Sequence, residues 1–272
     1  MPLKNILVAL DGAPQADVAL RAGIAIQKTY GAHLTGFVPR IENMPPATSE
    51  YSWLPSAIVA SLRQTQKDAA AKIEADFRKA TGMLDQDRIH LVRSDKTSVA
   101  EASRFFDVTL VGIPEHGSRK SSLHPDRIAL LSGRPVIAFP EGVDSSRVSS
   151  RVMIAWDGSR AAARSLSSAF RLLDTKDEIT IVTVGEPGTA CQDGEGLDPK
   201  TSLERLGLKA NWIDVPVAAG GIAATLLGQA DKLGAELIVM GAFEHSKFRE
   251  DLFGGVTHDV MARTRIPVFL AH

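Results

Sequence analysis

The chain is written twice. Ile6-Leu7-Val8-Ala9-Leu10-Asp11-Gly12 returns as Val152-Met153-Ile154-Ala155-Trp156-Asp157-Gly158. Asp107-Val108-Thr109-Leu110-Val111-Gly112 returns as Glu236-Leu237-Ile238-Val239-Met240-Gly241, and Arg134-Pro135-Val136-Ile137 as Ile266-Pro267-Val268-Phe269 preceded by Arg265. Three matched segments in one order mean that a whole folding unit is duplicated. Each copy must then bury its own core in half of 272 residues, and 44% hydrophobic residues suffice for that.

Both halves alternate short apolar runs with amphipathic stretches. In the first, strands are expected at 4–10, 32–38, 89–92, 108–111 and 136–139, and helices at 14–29, 57–80, 97–106 and 125–131. Pro14 suits the first turn of its helix, and the prolines of 39–56 mark a loop. Glu141–Ser150, with four serines, is the natural linker, dividing the chain into domains 1–145 and 146–272. The second domain repeats the pattern, with strands at 151–156, 178–184, 208–214, 236–240 and 266–270, and helices at 160–173, 200–206, 221–233 and 248–263. Such alternation predicts an α/β, Rossmann-like fold, with two tandem open parallel sheets and helices on both faces.

Composition narrows the partners. Neither half departs from neutrality by more than two charges, which gives no electrostatic support for nucleic acid. One cysteine, Cys191, excludes an intrachain disulfide and suits a reducing cytosol. No apolar run reaches the roughly 20 residues of a membrane helix, and Met1-Pro2-Leu3-Lys4 does not read as a signal peptide. A cytoplasmic protein without a membrane partner is expected.

Ligands of open α/β sheets bind beyond the carboxyl ends of the strands, where strand order reverses. At those ends in the second half lie Asp157 and Gly241, then Ala242-Phe243-Glu244-His245, then Gly254-Gly255-Val256-Thr257 at a helix start. Glycines let backbone approach a phosphate, and free amides at a helix start favour an anion. The same residues would also make a plain glycine turn with Thr257 as helix cap. No Gly-x-x-x-x-Gly-Lys-Ser/Thr loop and no Gly-x-Ser-x-Gly elbow occurs. Asp11 and Asp157 could hold a metal, yet each alone reads first as a strand-end turn residue, and His245 with His258 has no third partner for zinc. Tyr51, Trp53 and Leu54 offer either a partner surface or an anchor for their own loop.

These segments resemble the nucleotide-binding signature of the universal stress proteins, in which Gly-x-x-Gly is followed after nine residues by Gly-Ser/Thr. Gly241 is followed at thirteen and fourteen positions by Gly254 and Gly255, and Asp157 matches the family's aspartate after strand one. The resemblance covers essentially the whole chain as a tandem pair. It implies five strands per domain in the order 3-2-1-4-5, pairing of the last strands in an internal pseudo-dimer, and a stress-response regulatory role without catalysis. It also implies ATP, with or without Mg2+, or a related adenine nucleotide. Asp157 would contact the adenosine and Val184 the base. Ala155, Met240, Gly241, Phe243 and Glu244 would line the cleft, and Gly254, Gly255, Val256 and Thr257 would hold phosphates. Glu244 stands where the family has glycine, and Gly255 where it has Ser or Thr. A carboxylate there repels polyphosphate unless a cation bridges them. In the first half, the position thirteen after Gly112 is Pro125, which has no amide to offer, so that site is expected to be degenerate. Arg119, Lys120 and His124 are an alternative anion pocket or a solvated loop. A homodimer of the tandem chain and a nucleotide-free scaffold are both compatible with the same pattern.

Overall fold

A computed structural model describes residues 3–39, 55–114, 123–143, 150–173, 178–186, 196–242 and 255–272. In the first half the strands are β1 (Asn5–Ala9), β2 (His33–Pro39), β3 (Ile89–Ser94), β4 (Val108–Gly112) and β5 (Val136–Phe139). The helices between them are α1 (Pro14–Tyr30), α2 (Ser56–Thr81), α3 (Val99–Ser103) and α4 (Pro125–Ser132). The second half carries β6 (Arg151–Ala155), α5 (Arg160–Ala169), β7 (Glu178–Val184), α6 (Pro199–Arg205) and β8 (Ala210–Val215), then α7 (Gly221–Leu233), β9 (Leu237–Gly241), α8 (Val256–Arg263) and β10 (Val268–Ala271).

The two expected parallel sheets are joined through their last strands, the pairing that the resemblance implied. The strands form a single ten-stranded sheet in the order β3-β2-β1-β4-β5-β10-β9-β6-β7-β8. Within each half all pairs are parallel, and the order in each is 3-2-1-4-5. The halves join where β5 and β10 pair antiparallel, with Val136 opposite Leu270 and Ala138 opposite Val268. Every residue of these two strands is buried. An open parallel sheet ending on such apolar strands would expose unpaired amides, and pairing edge to edge removes both liabilities.

Two apolar layers cover the sheet, and each runs through both halves. One packs α1 residues Ala19, Leu20 and Ile26 with Phe77 of α2, Leu166 and Ala169 of α5, and Leu203 of α6, over Phe139 and Phe269. The other holds Val99, Ile128 and Ala129 of α3 and α4 with Leu226, Ala230 and Val260 of α7 and α8. The chain therefore crosses from β1 by one face and from β4 by the other, which opens a crevice between β1 and β4, and between β6 and β9. Beside the central strands, Arg171 meets Asp107 at 2.5 Å and the Tyr30 hydroxyl donates to the Leu172 carbonyl at 3.0 Å, so the helix ends also clamp the halves.

Helix ends follow local chemistry. Proline occupies the first turn of α1, α4 and α6, and glycine in the left-handed region closes α1, α4 and α7. Ser98, Ser159 and Asp198 cap α3, α5 and α6 through their side chains. The predicted helices 97–106 and 160–173 end earlier, at Ser103 and Ala169, in turns that lead to the next strand. The predicted helix 248–263 begins at Val256 among the described residues.

The glycine that ends β4 and β9 is a packing residue in both halves. A Cβ on Gly112 would sit 2.5–2.8 Å from Cβ and backbone atoms of Gln15 in the first turn of α1. One on Gly241 would sit 2.6–2.8 Å from backbone and Cβ atoms of Ala161 and Ala162 in α5. Gly112→Ala is expected to lower stability by about 1–3 kcal/mol through overpacking. Gly228→Ala, in the interior of α7 with nothing within 4 Å of the new methyl, should raise it by about 0.5–1 kcal/mol. Paired denaturant midpoints check both, and equal shifts would show that close approach is not the cause.

Asp107 generates a second expectation. Burial pushes its carboxyl upward, but the amides of Lys4 and Asn5 and the Arg171 guanidinium outweigh this and hold it below the usual aspartate value. Its share of stability is full above the unfolded-state value of about 3.9 and is lost as pH falls through the lower folded-state value. Asp107→Ala should cost about 1.5–3 kcal/mol at neutral pH, because two amides lose a charged acceptor. Arg171→Ala, at a half-exposed guanidinium, should cost about 1 kcal/mol or less. Urea titrations at pH 7 and pH 3 should show the Asp107→Ala deficit shrinking at the lower pH.

Candidate functional site

Asp157 stands just past the carboxyl end of β6, exposed, with Oδ1 accepting the Ser159 amide at 3.0 Å. Ser159 in turn caps α5 by accepting the Ala162 amide at 3.0 Å. Asp11 does the same for Ala13 in the first half, also at 3.0 Å. An aspartate after a strand thus shapes the turn into its helix in both halves. At Asp157 this uses one carboxylate oxygen and leaves the group at the crevice mouth.

Gly241 lies across the crevice, on the adjoining strand β9. Thr257, second residue of α8, is buried, and its hydroxyl points back to the Gly241 carbonyl at 3.5 Å, the long limit of a hydrogen bond. The structure therefore brings Gly241 and Thr257 together, and it places Asp157 on the neighbouring strand. Thr257 is not the helix cap. That position belongs to Gly255, which has no side chain and leaves the first amides of α8 without the acceptor that serine or aspartate supplies to α3, α5 and α6. Among the described residues, a Cβ at Gly255 would meet nothing within 4 Å.

Ala155, Val184 and Met240 belong to the apolar layer that α7 and α8 cover. Ala155 and Val184 are half-buried at their strand ends, whereas Met240 is buried and can only be part of a floor. Phe243, Glu244 and Gly254, with His245, Lys247 and Arg249, lie outside the described residues, as do Tyr51, Trp53, Leu54, Arg119, Lys120 and Cys191.

Sequence reading missed Ser165. This buried residue sits one turn after the packing contact of Gly241. Its hydroxyl donates to the Met240 carbonyl at 2.7 Å and accepts the Ala271 amide at 2.9 Å, locking α5 onto β9 and β10. Its counterpart in α1 is Ala19, and a hydroxyl on an otherwise apolar helix face was the available signal. His272 was also missed. Its Nδ1 lies 2.7 Å from the Ala242 carbonyl, and its own carbonyl accepts from Arg164 at 2.8 Å.

The equivalent place in the first half is built differently. Matching the helices, Pro125 opens α4 as Val256 opens α8. Pro125 therefore stands opposite Val256, not Gly254 as residue counting suggested, and Leu123-His124 stand opposite Gly254-Gly255. Leu123 is 3% exposed and packs in the core layer. Gln15, also buried, donates to Glu141 at 3.3 Å from the first turn of α1. An apolar side chain occupies the position that carries glycine in the second half.

Elsewhere, an open groove of about 530 Å³ runs along the amino ends of β6, β7 and β8, past Arg151, Glu178, Lys209 and Asn211. It lies at the opposite end of the strands from Asp157 and Gly241. Among the described residues, no cluster of three or more His, Cys, Asp or Glu could hold a metal ion. No described helix is long and apolar enough to cross a membrane.

Residues 149–272 match the model of the universal stress protein family. A curated relative, the universal stress protein Slr1230 of Synechocystis sp., is 25% identical over 171 residues. That match takes in 60% of this chain and 57% of the relative, so the chain spans little more than half of the relative's length. A universal stress protein from Archaeoglobus fulgidus shares the fold along almost the whole chain, with a TM-score of 0.66 at 18% identity, covering 98% of this chain and 95% of that one. A functionally unknown protein from Pseudomonas aeruginosa PAO1 does so with a TM-score of 0.55 at 15% identity, covering 99% and 92%. Residues 149–272, somewhat under half of the chain, are thus a domain of the universal stress protein family.

Proposed function

We propose that the second half binds ATP or a related adenine nucleotide between β6 and β9, and that occupancy regulates a stress response. The observation that carries this reading is the contrast at the start of the last helix. Neither helix has a side-chain cap, but α4 opens on Pro125, which has no amide, behind His124, whereas α8 opens on Val256 behind Gly255, where a Cβ would meet nothing within 4 Å among the described residues. Amides at a helix start suit a phosphate, and the helix dipole adds to the attraction. Asp157 would accept from the ribose, Ala155 and Val184 would flank the base, and the amides of Gly255, Val256 and Thr257 would hold phosphate oxygens. Phe243, Glu244 and Gly254 complete the set in sequence.

Binding, not turnover, is the proposed activity. The nominated residues supply a carboxylate in a turn, apolar walls and backbone amides, and none of them is a general base aimed at a phosphoryl group. Regulation then rests on the ligand binding one conformation of the protein better than another.

A specific observation supports a second reading, a nucleotide-free scaffold. Gly241 is needed for packing on α5, and Asp157 shapes the turn before it, so both have structural duties whether or not a ligand binds. In that reading Glu244 has closed the crevice to polyphosphate.

Calorimetric titration of ATP, with and without Mg2+, into protein freed of bound nucleotide separates the two. The binding reading expects saturation that weakens about 10–100-fold in Asp157→Ala, the loss of a charged hydrogen bond. Asp11→Ala should leave it unchanged, and Glu244→Gly should strengthen it. Absence of heat, together with no nucleotide released on denaturing the protein as purified, leaves the scaffold.

A further inference from the structure

His33 opens β2, and His90 is the second residue of β3. Thr35 is the ladder partner of His90, so His33, two residues earlier, is its diagonal neighbour on the same sheet face. Both imidazoles are exposed, and Nδ1 of His33 lies 3.2 Å from Nε2 of His90. The ring planes differ by 13°, and the centroids are 5.4 Å apart. Rings whose nearest nitrogens are this close can hardly have their centres farther apart. The imidazoles therefore meet edge to edge, each turning one nitrogen toward the other, and are not laid face over face. One nitrogen carries a hydrogen and the other accepts it.

Two imidazole nitrogens at this separation also have the spacing of a chelate. With metal–nitrogen bonds of about 2.0–2.1 Å, ligands at neighbouring tetrahedral corners stand a little over 3 Å apart. The ladder already sets that spacing, and tilting two exposed rings suffices to bring both lone pairs onto one ion. The ring that donates the hydrogen moves it to its other nitrogen, so neutral imidazoles remain on both sides. The neighbouring cation, Arg88, is engaged by the Gly31 carbonyl and by Asp85 at 3.2 Å.

We propose that His33 and His90 form a binding site for a first-row divalent ion that prefers imidazole, copper(II) ahead of zinc(II). Water fills the remaining positions, which makes the site open and exchangeable. Its structural effect follows from topology. β3 is a sheet edge whose ladder partner is β2, and an ion across the pair staples that edge to its neighbour. The site belongs to the first half alone. In the second half the same ladder positions hold Glu178 and Asn211, with Asn211 opposite Thr180 as His90 is opposite Thr35.

The experiment titrates copper(II) chloride into the full chain in a non-chelating buffer, following heat and the electron paramagnetic resonance of the bound ion. The expected result is a one-to-one site with nitrogen hyperfine structure. Affinity should fall at least about tenfold in His33→Gln and in His90→Asn alike, and stay unchanged in His258→Gln. His90→Asn installs the residue that the fold already carries at this place in β8, and circular dichroism checks that it folds. Copper should also slow hydrogen exchange of β3 amides in the unmodified chain and not in either variant. Unchanged affinity in His33→Gln or His90→Asn assigns any copper to the other histidines and overturns the proposal, as does the absence of saturable binding.

Discussion

The antiparallel contact between β5 and β10 is the interaction on which the rest of the molecule depends. Each strand is the last of its half and would be an apolar edge alone. Facing each other, Val136, Ile137 and Ala138 satisfy their outward backbone groups against Val268, Phe269 and Leu270. Each fully buried large side chain along this seam contributes about 1.5–3 kcal/mol, and Phe139 and Phe269 bring helices of both halves into one layer. A duplicated unit of this kind satisfies its own edge internally. That is why the two helical layers continue across the seam and do not stop at it.

The seam also fixes where the crevices open. Because β4 and β9 lie next to the buried, paired strands of the seam, the close approach of α1 to Gly112 and of α5 to Gly241 sets the helix starts at the strand ends. Ser165 tightens this in the second half by bonding to Met240 and Ala271 together. The glycine after strand four is thus required by packing in both halves, irrespective of what the crevice binds. Its presence at 112, where Leu123 fills the neighbouring position, agrees with that. The residues that differ between halves, Leu123 against Gly254 and His124 against Gly255, carry more information about ligands than those that match.

Most of the fold was legible because parallel strands buried on both faces write continuous apolar runs, and each was written twice. Ile6–Leu10 and Val152–Trp156 could be placed by comparing one with the other, as could Val108–Gly112 and Leu237–Gly241. Continuity of the sheet across the seam was legible only through family resemblance, since four-residue strands such as Val136–Phe139 do not state their partner. The site was less legible. Spacing alone set Pro125 against Gly254, because the connecting segments differ in length and only the helix frames restore the match. Gly241 was read as a cleft residue, and its close packing on α5 could not be read beside that, because it needs the position of Ala161. The histidine pair was invisible for the same reason. His33 and His90 are 57 residues apart, and only the β2–β3 register makes them neighbours.

Duplication with divergence places the chemistry at opposite ends of one sheet. The second half keeps glycine and bare amides at the carboxyl ends of its strands, while its amino-end groove carries Arg151, Glu178, Lys209 and Asn211. The first half fills the carboxyl-end position with Leu123 and sets two imidazoles at the amino end. Parallel strands make this separation natural, because all the carboxyl ends in a half share one rim and all the amino ends share the other. A substitution on one rim is a full strand length from the other and does not disturb the buried runs between them. Each rim can therefore differ between the copies while the buried runs and the β5–β10 seam hold both in one sheet.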